Sequence, residues 1–176
     1  MYSFIVLHAL VKKLATRKHF LSDEFETTDA ATPEQINRWL WNNSFFFVNG
    51  NHTRVALKRL KDKGYVARDT NGLFSITGKG SEFYESMKEK VFNGELSPTE
   101  AQIMEYLYAK TKEWGHCRIQ LDAIASELKI PFRKCLNSCI RLTLKLKTDL
   151  FYIKDKYSVQ LTFSELSNLQ QEGKSQ

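Results

Sequence analysis

Residues 51–64 read Asn51-His52-Thr53-Arg54-Val55-Ala56-Leu57-Lys58-Arg59-Leu60-Lys61-Asp62-Lys63-Gly64. Thr53, Ala56, Leu57, Leu60 and Gly64 recur at the spacing of one helical face, so the stretch predicts an amphipathic helix with those residues turned inward. Asn51 suits its N-cap. Lys61 and Lys63 fall in its last turn, where cations complement the helix dipole, and Gly64 suits the left-handed position just past the end. The opposite side carries Asn51, Val55 and Lys58, flanked by Arg54 and Arg59. Five cations meet one acid, Asp62, for a local charge of +4.

Downstream, Tyr65-Val66-Ala67-Arg68 and Leu73-Phe74-Ser75-Ile76-Thr77 read as two strands around Asp69-Thr70-Asn71-Gly72, since Asn-Gly is a strong hairpin signal. Gly78-Lys79-Gly80 breaks the second strand, and a helix follows over 81–91. Upstream, residues 3–18 read as an amphipathic helix with Phe4, Leu7, Leu10, Val11 and Leu14 in register. Ser22 to Ala31 reads as an acidic loop. A second helix then starts at Pro33, with Thr32 as cap and Gln35 closing a capping box. Trp39, Trp41, Phe45, Phe46 and Phe47 gather at its end. They suit a core, and Trp41 with the phenylalanine run also suits a partner-binding patch.

Asn93-Gly94-Glu95 reads as a boundary between domains 1–93 and 94–176. Immediately after it, Ser97-Pro98-Thr99-Glu100 repeats the helix-start chemistry, with Ser97 as cap and Glu100 closing the box. Helices are expected over 98–112, 121–128 and 132–146. A hairpin follows in which Asp155-Lys156 joins 150–154 to 157–163, and the tail 164–176 suits a weak helix. The halves agree in order: three helices, then a hairpin.

The run Thr53 to Val66 resembles the recognition helix and first wing strand of bacterial winged helix-turn-helix proteins. Ile76-Thr77-Gly78-Lys79-Gly80 is similar to the end of such a wing, and Ile124-Ala125-Ser126-Glu127-Leu128-Lys129-Ile130 to the first helix and turn of a second domain. The resemblance is to a superfamily pattern. It implies a mainly α fold with small β-hairpin wings, in tandem, and double-stranded DNA as partner.

The charge pattern agrees with that expectation. The chain carries 26 Lys plus Arg against 20 Asp plus Glu, a net +6 over 176 residues. Arg133, Lys134, Arg141, Lys145 and Lys147 add +5 with no acid from Pro131 to Lys147, so the two basic segments hold +9 and the rest of the chain −3. Cations concentrated in this way are the footprint of phosphate neutralisation. In the first domain the candidate DNA contacts are Asn51, His52, Arg54, Val55, Lys58, Arg59 and Lys61. Arg54 suits a bidentate guanine contact, while Lys58 and Arg59 suit phosphates. Arg68, Asn71 and Lys79 lie at or near the first hairpin. Arg133, Lys134, Asn137, Arg141 and Lys145 form one stripe of the second basic helix, with Lys154 and Lys156 as weaker candidates on its hairpin. That helix also has two apolar faces: Cys135, Cys139, Leu142 and Leu146 make one, and Phe132, Leu136 and Ile140 make another. It is therefore either buried on two sides or part of a dimer or inter-domain contact.

Other chemistries find little purchase. Gly72 to Lys79 has the wrong spacing for a phosphate loop, and Gly80 stands where a Ser or Thr would hold magnesium. His116, Cys117, Cys135 and Cys139 lack the paired spacing of zinc ligands, and the three cysteines suit a reducing compartment without disulfides. Nucleophile elbows, zinc-protease motifs and paired catalytic carboxylates are not found. The expectation is a cytoplasmic, nucleoid-associated DNA-binding protein without enzyme activity, cofactor, metal, membrane contact or evident small-molecule ligand, able to form a homodimer or join a larger complex. A transcriptional regulator fits, as does a DNA-binding component of a mobile-element, replication or phage-defence system. A winged-helix scaffold subunit that binds protein instead of DNA is the alternative from another class.

Overall fold

Helix α1 (Tyr2–Phe20) opens the chain. Phe4, Ile5, Val6, Leu7, Ala9 and Leu10 are all buried, and His8 is buried with them. A helix that is apolar right around belongs inside a fold, so the amphipathic reading of 3–18 is corrected over these turns. Each fully buried aliphatic or aromatic side chain contributes about 1.5–3 kcal/mol. The computed structural model describes residues 1–20 and 30–172, so the loop reading of 22–29 and the last four residues lie outside the described part.

The chain divides into two compact units, Met1–Lys88 and Glu89–Gln176. In the first, α1 is followed by β1 (Ala30–Ala31), α2 (Pro33–Asn42), α3 (Gly50–Asp62), β2 (Val66–Arg68) and β3 (Phe74–Ile76). Helix α4 (Gly78–Phe92) runs across the division. The strands form an antiparallel sheet in the order β1-β3-β2, with Ala31 opposite Phe74 and Arg68 opposite Phe74 on the other side. The hairpin was legible in the sequence, but β1 was not, because two residues carry no periodicity.

Helix ends follow local chemistry. At α2, Thr32 Oγ1 accepts from Gln35 N at 3.2 Å and Gln35 Oε1 accepts from Thr32 N at 3.2 Å, the reciprocal box expected. Helix α3 begins two residues earlier than a cap at Asn51 requires. Its cap is Asn49, not Asn51: Asn49 Oδ1 accepts from His52 N at 2.9 Å, and His52 Nδ1 accepts from Asn49 N at 3.4 Å. Thr53, fully buried, donates to Asn37 Oδ1 at 3.2 Å and ties α3 to α2.

The far end of α3 is closed by Gly64 at φ +73, with Gly64 N donating to Lys61 O and Tyr65 N to Leu60 O. That pair of bonds is the Schellman arrangement. Thr77 then links the elements: its hydroxyl donates to Gly64 O at 2.7 Å and accepts from Gly80 N at 3.1 Å, capping α4. Helix α4 therefore starts at Gly78, ahead of the expected Ser81. A Cβ on Gly80 would lie 2.0 Å from Tyr65 O, which explains a glycine inside a helical turn.

The second unit contains α5 (Pro98–Trp114), β4 (Ile119–Gln120), α6 (Leu121–Glu127), α7 (Phe132–Leu144), β5 (Thr148–Ile153), β6 (Lys156–Leu161) and α8 (Phe163–Glu172). Its sheet order, β4-β6-β5, matches that of the first unit element for element. Ser97 and Glu100 form the expected capping box on α5. The hairpin turns at Lys154-Asp155, both at positive φ, with Ile153 opposite Lys156; this sets the turn one residue earlier than read. Helix α7 ends as α3 does: Leu146 at φ +57 takes the place of Gly64, with Leu146 N bonded to Thr143 O and Lys147 N to Leu142 O. No helix among the described residues is long and apolar enough to cross a membrane.

Candidate nucleic-acid interface

With Gly64 set against Leu146, α3 and α7 align residue by residue. Thr53, Ala56, Leu57 and Leu60 fall on Cys135, Ser138, Cys139 and Leu142, and all eight are buried. The shared stripe fixes which face each helix turns away from its own core.

In the first unit that outer face is cationic. Asn51, Arg54, Lys58, Arg59 and Lys61 are exposed, and Val55 among them is 50% exposed. Between α3, the start of α2 and the β2–β3 hairpin lies a groove of about 620 Å³. Arg54, Lys58 and Lys61 line it from the helix, and Arg68, Asn71 and Gly72 from the hairpin. The Arg68 guanidinium sits 5.7 Å from the centre of the Phe74 ring, leaning back over its own hairpin. A smaller concavity of about 390 Å³ adjoins, lined by Asn37, Arg38, Trp41 and Gly50, with Glu34 and Arg54 shared between the two.

Two expected contacts are placed otherwise, and a third has an acidic partner the sequence did not announce. His52 is half-buried: it completes the α3 cap and lies tilted against the Tyr2 ring with centres 4.7 Å apart, and burial lowers its pKa below the ordinary histidine value. Lys79 lies in the first turn of α4, not on the hairpin. Its ammonium donates to Lys63 O at 3.0 Å and stands 5.4 Å from the Tyr65 ring centre, so it closes the α3 end. Arg54 is exposed, yet its Nη2 donates to Glu34 Oε1 at 3.0 Å. The Glu34 carboxyl titrates below its usual range, first through its own backbone N–H and then through Arg54. Nothing in the sequence sets Glu34 apart from an ordinary acid in a first helical turn.

The second unit departs from this plan. The places of Arg54, Lys58 and Lys61 are taken by Leu136, Ile140 and Thr143. Ile140 is fully buried and Thr143 nearly so, whereas Leu136 is half-buried and Phe132 is 40% exposed, so the second apolar face of α7 is covered only in part. On the neighbouring stripe, Arg133, Lys134 and Arg141 are exposed and Asn137 half-buried. They line a groove of about 630 Å³ with Ser97, Pro98 and Thr99 at the start of α5.

Lys145 is the clearest correction. Expected on the outer stripe, its side chain is only 8% exposed and its ammonium binds Glu100 Oε2 at 3.0 Å and Glu95 O at 2.8 Å. Arg141 Nη1 stands 3.6 Å from Glu100 Oε1, so one buried carboxylate holds two of the five basic residues. Lys147 is taken up in the same way, at 2.6 Å from Glu165 Oε1. Burial pushes the Glu165 carboxyl up, but Lys147 and the Tyr108 hydroxyl more than offset it and the pKa is lowered. Two carboxylates, Glu100 and Glu165, thus balance part of the +5 counted along this segment from within the unit, and Arg133 and Lys134 are left outside these pairs.

Among the described residues no group of three or more His, Cys, Asp or Glu is placed to hold a metal ion. Cys135 and Cys139 are buried on the α7 core stripe. No protein-family model matches the chain, and no curated protein or solved structure is significantly similar to it.

Proposed function

We propose that the chain is a double-stranded DNA-binding protein of two tandem winged helix-turn-helix domains, acting as a transcriptional regulator. The observation that carries this reading is the groove of the first unit, where Arg54, Lys58 and Lys61 from α3 face Arg68 and Asn71 from the hairpin. A helix that enters the major groove needs short residues near base edges and long cations on either side to reach phosphates. Val55 supplies an apolar contact of the kind a thymine methyl accepts, and Arg54 the fork that guanine accepts. Lys58, Arg59 and Lys61 are assigned to phosphates, with Arg68 and Asn71 on the flanking backbone.

The repeated element order, in which the first strand of each unit pairs with the third, supports the winged-helix reading of both. In this reading the second unit adds backbone contacts through Arg133, Lys134 and Arg141 and no base reading at the places of Arg54 and Lys58. A role in a mobile-element, replication or phage-defence system uses the same DNA chemistry and differs in the process served.

The test is a salt titration of binding to random-sequence duplex DNA. The affinity is expected to fall steeply, with a log–log slope near about −0.9 per phosphate contacted. Absence of binding even at low salt would sink the proposal. That outcome favours a protein scaffold, a second reading for which half-buried Leu136, in the place of Arg54, speaks. So do exposed Phe132, Leu146, Ile153 and Phe163 in the same unit.

A further inference from the structure

The side chain assigned above to a base is already held from one side. Arg54 Nη2 lies 3.0 Å from Glu34 Oε1, and the two side chains are 64% and 65% exposed. An ion pair so open to water contributes little to fold stability. Glu34 is itself fixed in place. It is the second residue of α2, behind the Thr32 cap and Pro33, where its own backbone N–H and the helix dipole favour the ionised carboxylate. An acid at that place is common helix-start chemistry, and Asp122 holds it in α6. What sets the first unit apart is the partner: the position of Arg54 is Leu136 in the second unit.

Glu34 and Arg54 together form the wall between the two concavities, lining both. A negative charge there opposes phosphate binding in a groove whose other ionic residues are mostly cations. A guanidinium, however, carries five N–H donors in a rigid fork, so one bond to Glu34 leaves others for a base. A pinned arginine also loses less rotamer freedom on meeting that base.

We propose that Glu34 is a specificity-determining positioning residue: it holds Arg54 at a fixed angle in the groove, lowering affinity for DNA in general and sharpening discrimination at one base pair. The proposal rests on the DNA-binding reading and deepens it.

The experiment selects sequences from a randomised duplex pool with the full chain and, in parallel, measures affinity for the unselected pool. The wild type is expected to enrich guanine at one position. Arg54→Ala flattens that preference by about 5- to 150-fold, the span of one bidentate contact. Glu34→Ala flattens the same position by roughly tenfold, a fraction of that contact, while binding the unselected pool more tightly. Glu34→Gln, which keeps an acceptor oxygen, retains most of the preference, and Glu34→Ala has no further effect on it in the Arg54→Ala background. If both Glu34 variants raise affinity equally and leave the selected sequence unchanged, Glu34 is only a repelling charge and the proposal is overturned. Unaltered binding by both overturns it too, as does a wild type that binds the pool but enriches nothing. A wild type that binds no duplex at low salt overturns the DNA-binding reading itself, and this idea with it.

Discussion

Leu146 occupies in the second unit the place Gly64 holds in the first. Each is the left-handed residue that ends a thirteen-residue helix, at φ +57 and +73. Glycine takes that conformation freely, whereas for leucine it costs about 1–2 kcal/mol. The Leu146 side chain is 75% exposed, so burial does not offset the strain.

Leu146→Gly is therefore expected to stabilise the second unit by about 0.5–1 kcal/mol, the relief of strain less the added freedom of glycine in the unfolded chain. Urea unfolding of the full chain would read this as a raised midpoint. An unchanged or lowered midpoint would mean that the leucine side chain makes a contribution its exposure does not suggest.

Residue chemistry that acts over a few positions was legible, and chemistry that acts across the fold was not. Thr32 with Gln35, and Ser97 with Glu100, announce their helices because each box closes over three residues. Asn49 is harder to recognise as a cap than Asn51 because its box partner is His52, in place of the usual Glu or Gln. Helix α1 was read as amphipathic because its apolar residues include a helical subset. Only its position in the core reveals that Ile5, Val6 and Ala9 are buried as well. Of the groove cations, Arg54 and Lys58 are legible on a helical wheel, and Lys61 in the charge of the last turn. The fate of Lys145 and Lys147 is not, since their partners Glu100 and Glu165 come from α5 and α8.

His8 gives the first unit a pH dependence. Its Nδ1 lies 2.9 Å from the Tyr84 hydroxyl, joining α1 to α4 inside a shell that includes Trp39 and Phe45. Burial, with Lys12 adding to it, lowers the imidazole pKa from 6.5 to about 4. Between those values the unfolded chain binds a proton that the folded chain does not. Stability is therefore full above pH 6.5, falls as the pH drops through this window and levels off below about 4. The total loss approaches about 3 kcal/mol. His8→Gln should remove this component, seen as a shallower difference between unfolding free energies measured across the window. Identical profiles for variant and wild type would contradict the assignment.

Base reading and phosphate contact separate by their salt dependence. Lys58→Ala is expected to weaken binding to every duplex alike and to reduce the salt slope by about 1. Arg54→Ala should instead cost about 1–3 kcal/mol on a preferred sequence and much less on random DNA. Both follow from the groove, which exposed Lys58 and Arg54 line together and in which Arg54 is tied to Glu34 at the start of α2. A salt slope untouched by Lys58→Ala would remove α3 from the interface.

Lys145 offers the converse control, a cation expected not to matter for DNA. Its ammonium is enclosed by Glu100 Oε2 and Glu95 O, and no counterion remains on it to be released by a phosphate. Lys145→Met should leave the salt slope unchanged, whereas Arg133→Ala and Lys134→Ala, on the exposed part of the same helix, should each lower it by about 1 if the second unit touches the backbone. The cost of disturbing the pair falls on stability. Glu100→Gln keeps an oxygen for the α5 capping box but leaves the lysine charge buried without its counter-charge, which is expected to destabilise the second unit by about 3–5 kcal/mol. Lys145→Met strands the carboxylate instead, although Arg141 at 3.6 Å compensates in part, so its cost should be the smaller of the two. Unfolding of the two variants side by side checks the order. Equal or reversed costs would mean that Arg141 does not share the carboxylate as the geometry implies.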